Sequence, residues 1–236
     1  MMQDPLIHAR GLCRHYHRGI ETVKAIDGID LDIMPGAMVS ILGPSGSGKT
    51  TLINLLSCLD APTAGTLSIA GHLVDAMSED KLAAIRRGLI GFVFQKFYLI
   101  PTLTVAENVE LPLLFFKRTI TREGTMNILR QVGLEDRARH LPSELSGGQM
   151  QRVAIARALI VQPRILMADE PTGNLDSENG AAIFGLLRHL VRDQGLTVIL
   201  TTHNLVLGNQ ADRIITLKDG RIVTDSAPPS FPSSTI

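Results

Sequence analysis

Cysteine is scarce in this sequence. Cys13 and Cys58 are the only two thiols among 236 residues, and they stand far apart with no disulfide, metal or redox spacing. A disulfide-stapled secreted scaffold is thereby excluded, and two free thiols in a reducing compartment are expected. Charge of one sign is also missing. Lys plus Arg number 23 and Asp plus Glu number 23, so no net field gathers nucleic acid. Long hydrophobic runs are absent too. Mean hydropathy is high at +0.18, yet Pro112, Lys117 and glycines interrupt every apolar stretch before the ~20 residues that span a bilayer. The opening Met1-Met2-Gln3-Asp4-Pro5 has no basic stretch leading into an apolar core, so no secretory leader is expected. No internal repeat is visible. What remains is a chain long enough to bury a real core as one domain, or as a domain with a sub-domain.

The most informative stretch is Gly43-Pro44-Ser45-Gly46-Ser47-Gly48-Lys49-Thr50, which fits the G-x-x-x-x-G-K-[ST] phosphate loop at every position. Apolar residues 38–42 before it read as a buried strand, and residues 51–56 from Thr51 onward continue as a helix. In that setting the glycines let successive backbone N–H groups turn inward, and the helix N-terminus adds unpaired donors. Lys49 has the reach for β- and γ-phosphates, and the Thr50 hydroxyl suits Mg²⁺. A bound nucleoside triphosphate is the implied ligand.

The surrounding pattern gives an α/β fold. Residues 6–16 and 22–33 alternate apolar and polar side chains and predict antiparallel strands, with Asp27-Gly28 as a turn signal. Strands are expected over 65–71 and 89–94, with a helix over 79–87. From 96 to 162 the signals are helical: 105–111, 122–132 and 147–161. Fully apolar strands return at 165–168 and 197–201, with a helix over 177–192 between them, which is a βαβ unit in a parallel sheet. Residues 213–218 and 221–224, joined by Asp219-Gly220, predict a closing hairpin. These readings divide the chain into a nucleotide-binding core with an antiparallel β sub-domain (1–95 and 163–226), an inserted helical sub-domain (96–162) and a disordered tail (227–236).

Two further constellations carry chemistry. Asp169-Glu170 follows the apolar run 165–168, at the strand end where open α/β sheets bind ligands. Asp169 suits the Mg²⁺ shell, and Glu170 suits a water-activating base. A polar strand end or helix cap is the plainer alternative for the pair taken alone. Ser146-Gly147-Gly148 opens the helix over 147–161. Ser146 is a natural N-cap, and the glycines leave the first N–H groups uncovered. A second anion site in one chain is odd unless another subunit brings the second phosphate contact.

Taken together, the phosphate loop, Gln95, Leu145-Ser146-Gly147-Gly148-Gln149, Asp169-Glu170, Gly173-Asn174-Leu175-Asp176 and His203 resemble, in order and spacing, the ATP-binding-cassette (ABC) ATPase subunits, with coverage of about residues 6–225. The resemblance implies a P-loop NTPase (RecA-like) core and a head-to-tail homodimer that holds two ATP molecules. In each site the phosphate loop of one copy would face Ser146, Gly147, Gly148 and Gln149 of the other. It implies that Tyr16 stacks on adenine, a strand-core aromatic being the alternative. Gln95 would touch Mg²⁺ and the attacking water, His203 the γ-phosphate, and Asp176 would link the two sites. Residues 90–109, with Gly173 to Ser177, are similar to the subgroup serving lipoprotein release, macrolide export and cell division. That likeness implies a membrane permease as partner, a peripheral place on the cytoplasmic face of the inner membrane, and no nucleic acid. Ala37 and Asn204 stand where Glu and Asp are common in the family, and the tail after Ala227 is atypical. The alternative class, a soluble ABC ATPase acting on ribosomes or nucleic acid, lacks its usual second cassette, basic excess or nucleic-acid module here.

Overall fold

The computed structural model describes residues 4–19, 21–75, 77–116 and 121–226. In chain order the elements are β1 (Ile7–Arg18), β2 (Glu21–Ile33), β3 (Met38–Leu42), α1 (Lys49–Leu56), β4 (Ala64–Ile69), β5 (His72–Leu73), α2 (Glu79–Leu89), β6 (Ile90–Val93) and α3 (Val105–Glu110). They continue with α4 (Leu113–Phe116), α5 (Arg122–Gln131), α6 (Gly147–Leu159), β7 (Ile165–Asp169), α7 (Ser177–Gln194), β8 (Thr197–Thr201), α8 (Leu205–Gly208), β9 (Arg213–Lys218) and β10 (Arg221–Asp225). An antiparallel sheet runs β2-β1-β4-β5, and a second sheet runs β10-β9-β3-β8-β7-β6. From β9 to β6 every neighbouring pair of the second sheet is parallel.

The parallel strands are apolar because both faces of their sheet are covered. Neighbouring residues on one strand enter different cores. Leu166 and Ala168 of β7, with Val198 and Leu200 of β8, pack with helices α3, α5, α6 and α7. Ile165, Met167 and Ile199 pack with α1 and with β1, β2 and β4. The molecule therefore has three layers: helices, parallel sheet, and antiparallel sheet with α1. Helices from the 96–162 stretch share their apolar cluster with α7 and one sheet face, so that core is continuous. Helix α7 shows how sequence dictates its place. Ile183, Phe184, Leu187, Leu190 and Val191 recur at helical spacing and are buried. Asp176 caps its start by accepting from the Asn179 N–H, and Gly195 ends it in the left-handed region at φ 65°.

Most expected elements form, with ends shifted by one to three residues. Asp27-Gly28 is a correction. It lies inside β2, opposite a register break between Leu12 and Cys13, and Gly28 has φ 78°. The extra residue is a β-bulge, not the hairpin turn, because the β1–β2 ladder resumes on both sides of it. The expected strand over 65–71 stops at Ile69, and Ala70 and Gly71 with positive φ turn the chain into β5. One-turn helices α4 and α8 were not expected, since four residues are too few to show a period. The tail 227–236 lies outside the described residues.

Gly65 carries a sharp steric constraint. Its φ is +84°, and a Cβ there would sit 2.2 Å from the Gly11 carbonyl oxygen on β1. Gly65→Ala should therefore destabilise the chain by about 2 kcal/mol or more. A urea titration checks this: the midpoint falls while the slope stays unchanged.

Candidate functional site

The C-terminal ends of β3, β8, β7 and β6 lie side by side at one edge of the sheet. Each feeds a different part of the site: β3 the phosphate loop, β8 His203, β7 Asp169 and Glu170, and β6 Gln95. Parallel register makes this possible, because only parallel strands send all their C-terminal ends the same way.

The phosphate loop bends through left-handed or glycine-only backbone at Gly43, Gly46 and Gly48. At Gly48, which opens α1 with φ 103° and no side-chain cap, a Cβ would lie 2.4 Å from the Ala25 carbonyl oxygen. The loop is tied to the closing hairpin, since the Gly220 N–H donates to the Ser47 carbonyl at 3.1 Å. Lys49 is buried, and its Nζ donates to the Gly43 and Pro44 carbonyls at 2.9 and 3.0 Å.

Across from α1, Asp169 Oδ1 accepts from the Thr201 hydroxyl at 2.6 Å and faces the Thr50 hydroxyl at 3.5 Å. The same Thr201 oxygen accepts from the Glu170 backbone N–H at 2.9 Å. One hydroxyl on β8 thus fixes both acids at the end of β7. Thr201 was absent from the sequence-predicted site, because its role exists only through cross-strand pairing with Asp169. Glu170 has φ 48°, an uncommon region for a residue with a side chain. Its Oε2 lies 2.6 Å from His203 Nδ1, a hydrogen bond whose donor depends on the imidazole tautomer. Asn204, the departure beside His203, caps α8 by accepting from the Leu207 N–H at 3.1 Å.

Gln95 joins this cluster. A Cβ on Gly173 would meet Gln95 Nε2 at 2.9 Å and Glu170 Oε2 at 3.3 Å, so only glycine lets the three segments close up. Asn174 Nδ2 donates to the Gln95 carbonyl at 3.0 Å, which ties the start of the helical stretch to the loop after Glu170.

Part of this cluster opens on a cleft of about 650 Å³, with Gly43, Pro44, Ser47, Gln95 and Asp169 outside its lining. Of the sequence-predicted site residues, Ser45, Gly46, Gly48, Lys49, Thr50, Thr51, Glu170 and His203 line it. Val23, Lys24, Ala25, Asp219 and Gly220 line it too and were missed. They come from β2 and the closing hairpin, and their only sequence signal was the turn pair Asp219-Gly220.

The remaining predicted residues sit elsewhere. Ser146 and Gln149 form a reciprocal cap at the start of α6: the Ser146 N–H donates to Gln149 Oε1 at 2.9 Å, and Ser146 Oγ accepts from the Gln149 N–H at 3.3 Å. Gly148 packs so tightly that a Cβ would lie 2.5 Å from Asn179 Oδ1. Asn179 in turn donates through its backbone and side-chain nitrogens to Asp176 at 2.8 and 2.7 Å. Those donors hold the Asp176 carboxyl below the usual carboxylate range. The starts of α6 and α7 thus form a second small cluster, and none of its residues lines the cleft of its own chain. Tyr16 is likewise outside the lining set. Its hydroxyl donates to Asp60 Oδ2 at 2.8 Å, and the Arg14 guanidinium lies 4.8 Å from its ring centre.

Comparison with known proteins agrees with this arrangement. The sequence model of the family described as ABC transporter matches residues 26–173. The macrolide export ATP-binding/permease protein MacB 1 of Aeromonas hydrophila is 45% identical over 226 residues, which cover 95% of this chain and 35% of that protein. MacB of Agrobacterium fabrum is 44% identical over the same share of each. The chain thus spans about a third of the length of these relatives. Among solved structures, a dimeric ATP-binding cassette in a post-hydrolysis state bound to ADP and Pi superposes with a TM-score of 0.86. It is 43% identical over 95% of this chain and 100% of that one. A phosphate loop after β3, an acid pair at the end of β7 and a capped Leu-Ser-Gly-Gly-Gln helix around one parallel sheet have a single family in common with those matches: the chain belongs to the ABC transporter family, as one of its ATPase cassettes.

Proposed function

We propose that this cassette energises a membrane permease, in the same or a separate polypeptide, by closing as a head-to-tail homodimer on two ATP molecules. The observation that carries the reading is the division of the site. The phosphate loop, Glu170 and His203 line one cleft and Asp169 adjoins it through Thr50, whereas the capped, glycine-paved start of α6 contributes nothing to its lining. A second copy reconciles the two halves: Ser146, Gly147 and Gly148 of one chain cover the phosphates held by the other.

Within each cleft Lys49 would release the Gly43 and Pro44 carbonyls and turn to the phosphates. Thr50 and Asp169 present hard oxygens 3.5 Å apart, a donor set that suits Mg²⁺, with Gln95 adjoining. Thr50 and Asp169 would hold the ion, which would supply charge neutralisation for the phosphates. Glu170 accepts a proton from the attacking water. His203, hydrogen-bonded to Glu170, orients that carboxylate and senses the γ-phosphate. Tyr16 reaches adenine if Arg14 shares its ring. Asp176 joins the two sites across the dimer.

The permease surface is an apolar cavity of about 650 Å³ that includes Leu59, Phe92, Phe94, Tyr98, Pro112 and Phe115. Phe94 and Tyr98 are exposed and stack edge to face, with ring centres 5.4 Å apart. Of the apolar residues between Phe97 and Val105, Tyr98 lines this cavity, while Val105 is fully buried and Leu99 packs on the helical core. Arg157 of α6 donates to the Phe97 and Tyr98 carbonyls at 2.7 and 2.6 Å. Movement of α6 on dimer closure is thereby passed to the groove, and the partner reads ATP through it. A cytoplasmic amphipathic helix of the permease is the occupant this shape suits. The cassette then sits peripherally on the cytoplasmic face of the inner membrane. Among the described residues no helix is long and apolar enough to cross a membrane. The stretch 96–162 acts as the moving arm against the core 1–95 and 163–226.

Three measurements test this reading. Lys49→Ala should lower ATP turnover by about 100-fold or more, because a buried charge on the phosphates is lost. Near-normal turnover would refute the site assignment. Glu170→Gln keeps size and hydrogen bonding but takes no proton, so hydrolysis should fall about 10²- to 10⁴-fold. With ATP and Mg²⁺ that variant should elute as a dimer on gel filtration, and a monomer that still hydrolyses ATP would move the base elsewhere. Tyr98→Glu should abolish permease-stimulated turnover while basal ATP binding persists. Equal loss of both would return Tyr98 to a structural role.

A further inference from the structure

Cys13 and His15 lie two residues apart on β1, and Cys13 pairs directly with Asp27 on β2. The ladder breaks just before Cys13, between Leu12 and Cys13, and again between Arg14 and His15, inside the group. Bulges of this kind re-aim side chains. Here they bring a thiol, an imidazole nitrogen and a carboxylate oxygen within 4.8 Å of one another. The sequence alone shows no metal spacing around Cys13, because the third group comes from the other strand.

Three details fit a cation at the centre of this group. His15 Nε2 is buried and, among the described residues, has no hydrogen-bond partner closer than the Asp27 carboxylate. It lies 3.5 Å from Asp27 Oδ1, close to the ~3.3 Å that separates two ligands each ~2.0 Å from a tetrahedral zinc ion. Cys13 Sγ accepts from the Gly28 N–H at 3.2 Å, the kind of contact that supports a metal-bound thiolate. The other oxygen of Asp27 is occupied by Arg221 at 2.7 Å, which orients the carboxylate and, as the leading cause, holds it below its usual range. Lys24 Nζ, 3.6 Å from Asp27 Oδ1, is the competing cation, and its side chain is exposed and free to swing away.

We propose that Cys13 Sγ, His15 Nε2 and Asp27 Oδ1 bind one Zn²⁺, with water in the fourth position. Thiolate with imidazole selects a borderline-soft cation over Mg²⁺ or Ca²⁺, which keeps this site distinct from the nucleotide cleft. Binding releases the Cys13 thiol proton to solvent. The ion clamps β1 to β2 where the backbone ladder is interrupted.

The test uses the full chain, reduced and stripped of metal, titrated with Co²⁺ and then Zn²⁺ in the absence of nucleotide. One equivalent of Co²⁺ should give a thiolate-to-cobalt charge-transfer band, which one equivalent of Zn²⁺ erases. Cys13→Ser should abolish the band. Cys58→Ala should retain it, since Cys58 is the only other thiol and is buried. His15→Gln and Asp27→Asn should each weaken Co²⁺ affinity at least tenfold, with the far-ultraviolet dichroism of all variants unchanged. A chain that gives no charge-transfer band, a band that survives Cys13→Ser, or full affinity in both His15→Gln and Asp27→Asn would overturn the site and leave a plain His15–Asp27 contact.

Discussion

Burial of the parallel sheet on both faces is the constraint on which the rest of this molecule depends. A strand covered by α6 and α7 on one side and by α1 with the antiparallel sheet on the other must be apolar along its whole length. Polar chemistry is then confined to the strand ends. Because β3, β8, β7 and β6 run the same way, their ends bring four loops to one edge. The phosphate loop, Gln95, the Asp169-Glu170 pair and His203 are far apart in the chain, and they meet only because each follows one of these strands.

Within that edge, small polar contacts convert proximity into geometry. Thr201 is the clearest case. Its hydroxyl donates to Asp169 and accepts from the Glu170 backbone, which fixes a metal-suited carboxylate and a base-suited carboxylate with one atom. Glu170 holds a backbone conformation costly for a side-chain-bearing residue. The surroundings that enforce it are the Thr201 hydrogen bond, the His203 contact and the close approach of Gly173. In this conformation Glu170 lines the cleft.

Arg157 ties the site to the surface. It leaves α6, whose first turn carries the Leu-Ser-Gly-Gly-Gln stretch, and grips the carbonyls of Phe97 and Tyr98 just after Gln95. Burial lowers its pKa from the ordinary guanidinium value. Two charge-assisted hydrogen bonds in a desolvated position are strong and directional. Tyr98 has φ 46°, so this grip also holds an unusual backbone turn that keeps the ring exposed. A helix, a strained turn and an apolar groove thus form one connected unit running from the capped start of α6 to the permease-facing surface proposed above.

Local pattern sufficed for much of this. The phosphate loop, the helix from 177, the strand at 197–201 and the closing hairpin were legible because each is set by neighbours in sequence: glycine spacing, helical or twofold periodicity, a turn pair. Asp27-Gly28 was misread for the same reason, since a turn dipeptide and a bulge have the same local chemistry and only the pairing strand tells them apart. The one-turn helices α4 and α8 left no period to read. Thr201, Lys24 and Gly220 entered the site, and Cys13, His15 and Asp27 converged, through contacts between strands that no local window spans. By itself the sequence determined the fold class, the order of elements and the residues proposed to handle phosphate, because those follow from side-chain chemistry and short-range periodicity. The tertiary structure alone decided which of them share a cleft, which lie outside it, and how bulges and cross-strand hydroxyls aim them, because those depend on strand register and on the burial of both sheet faces.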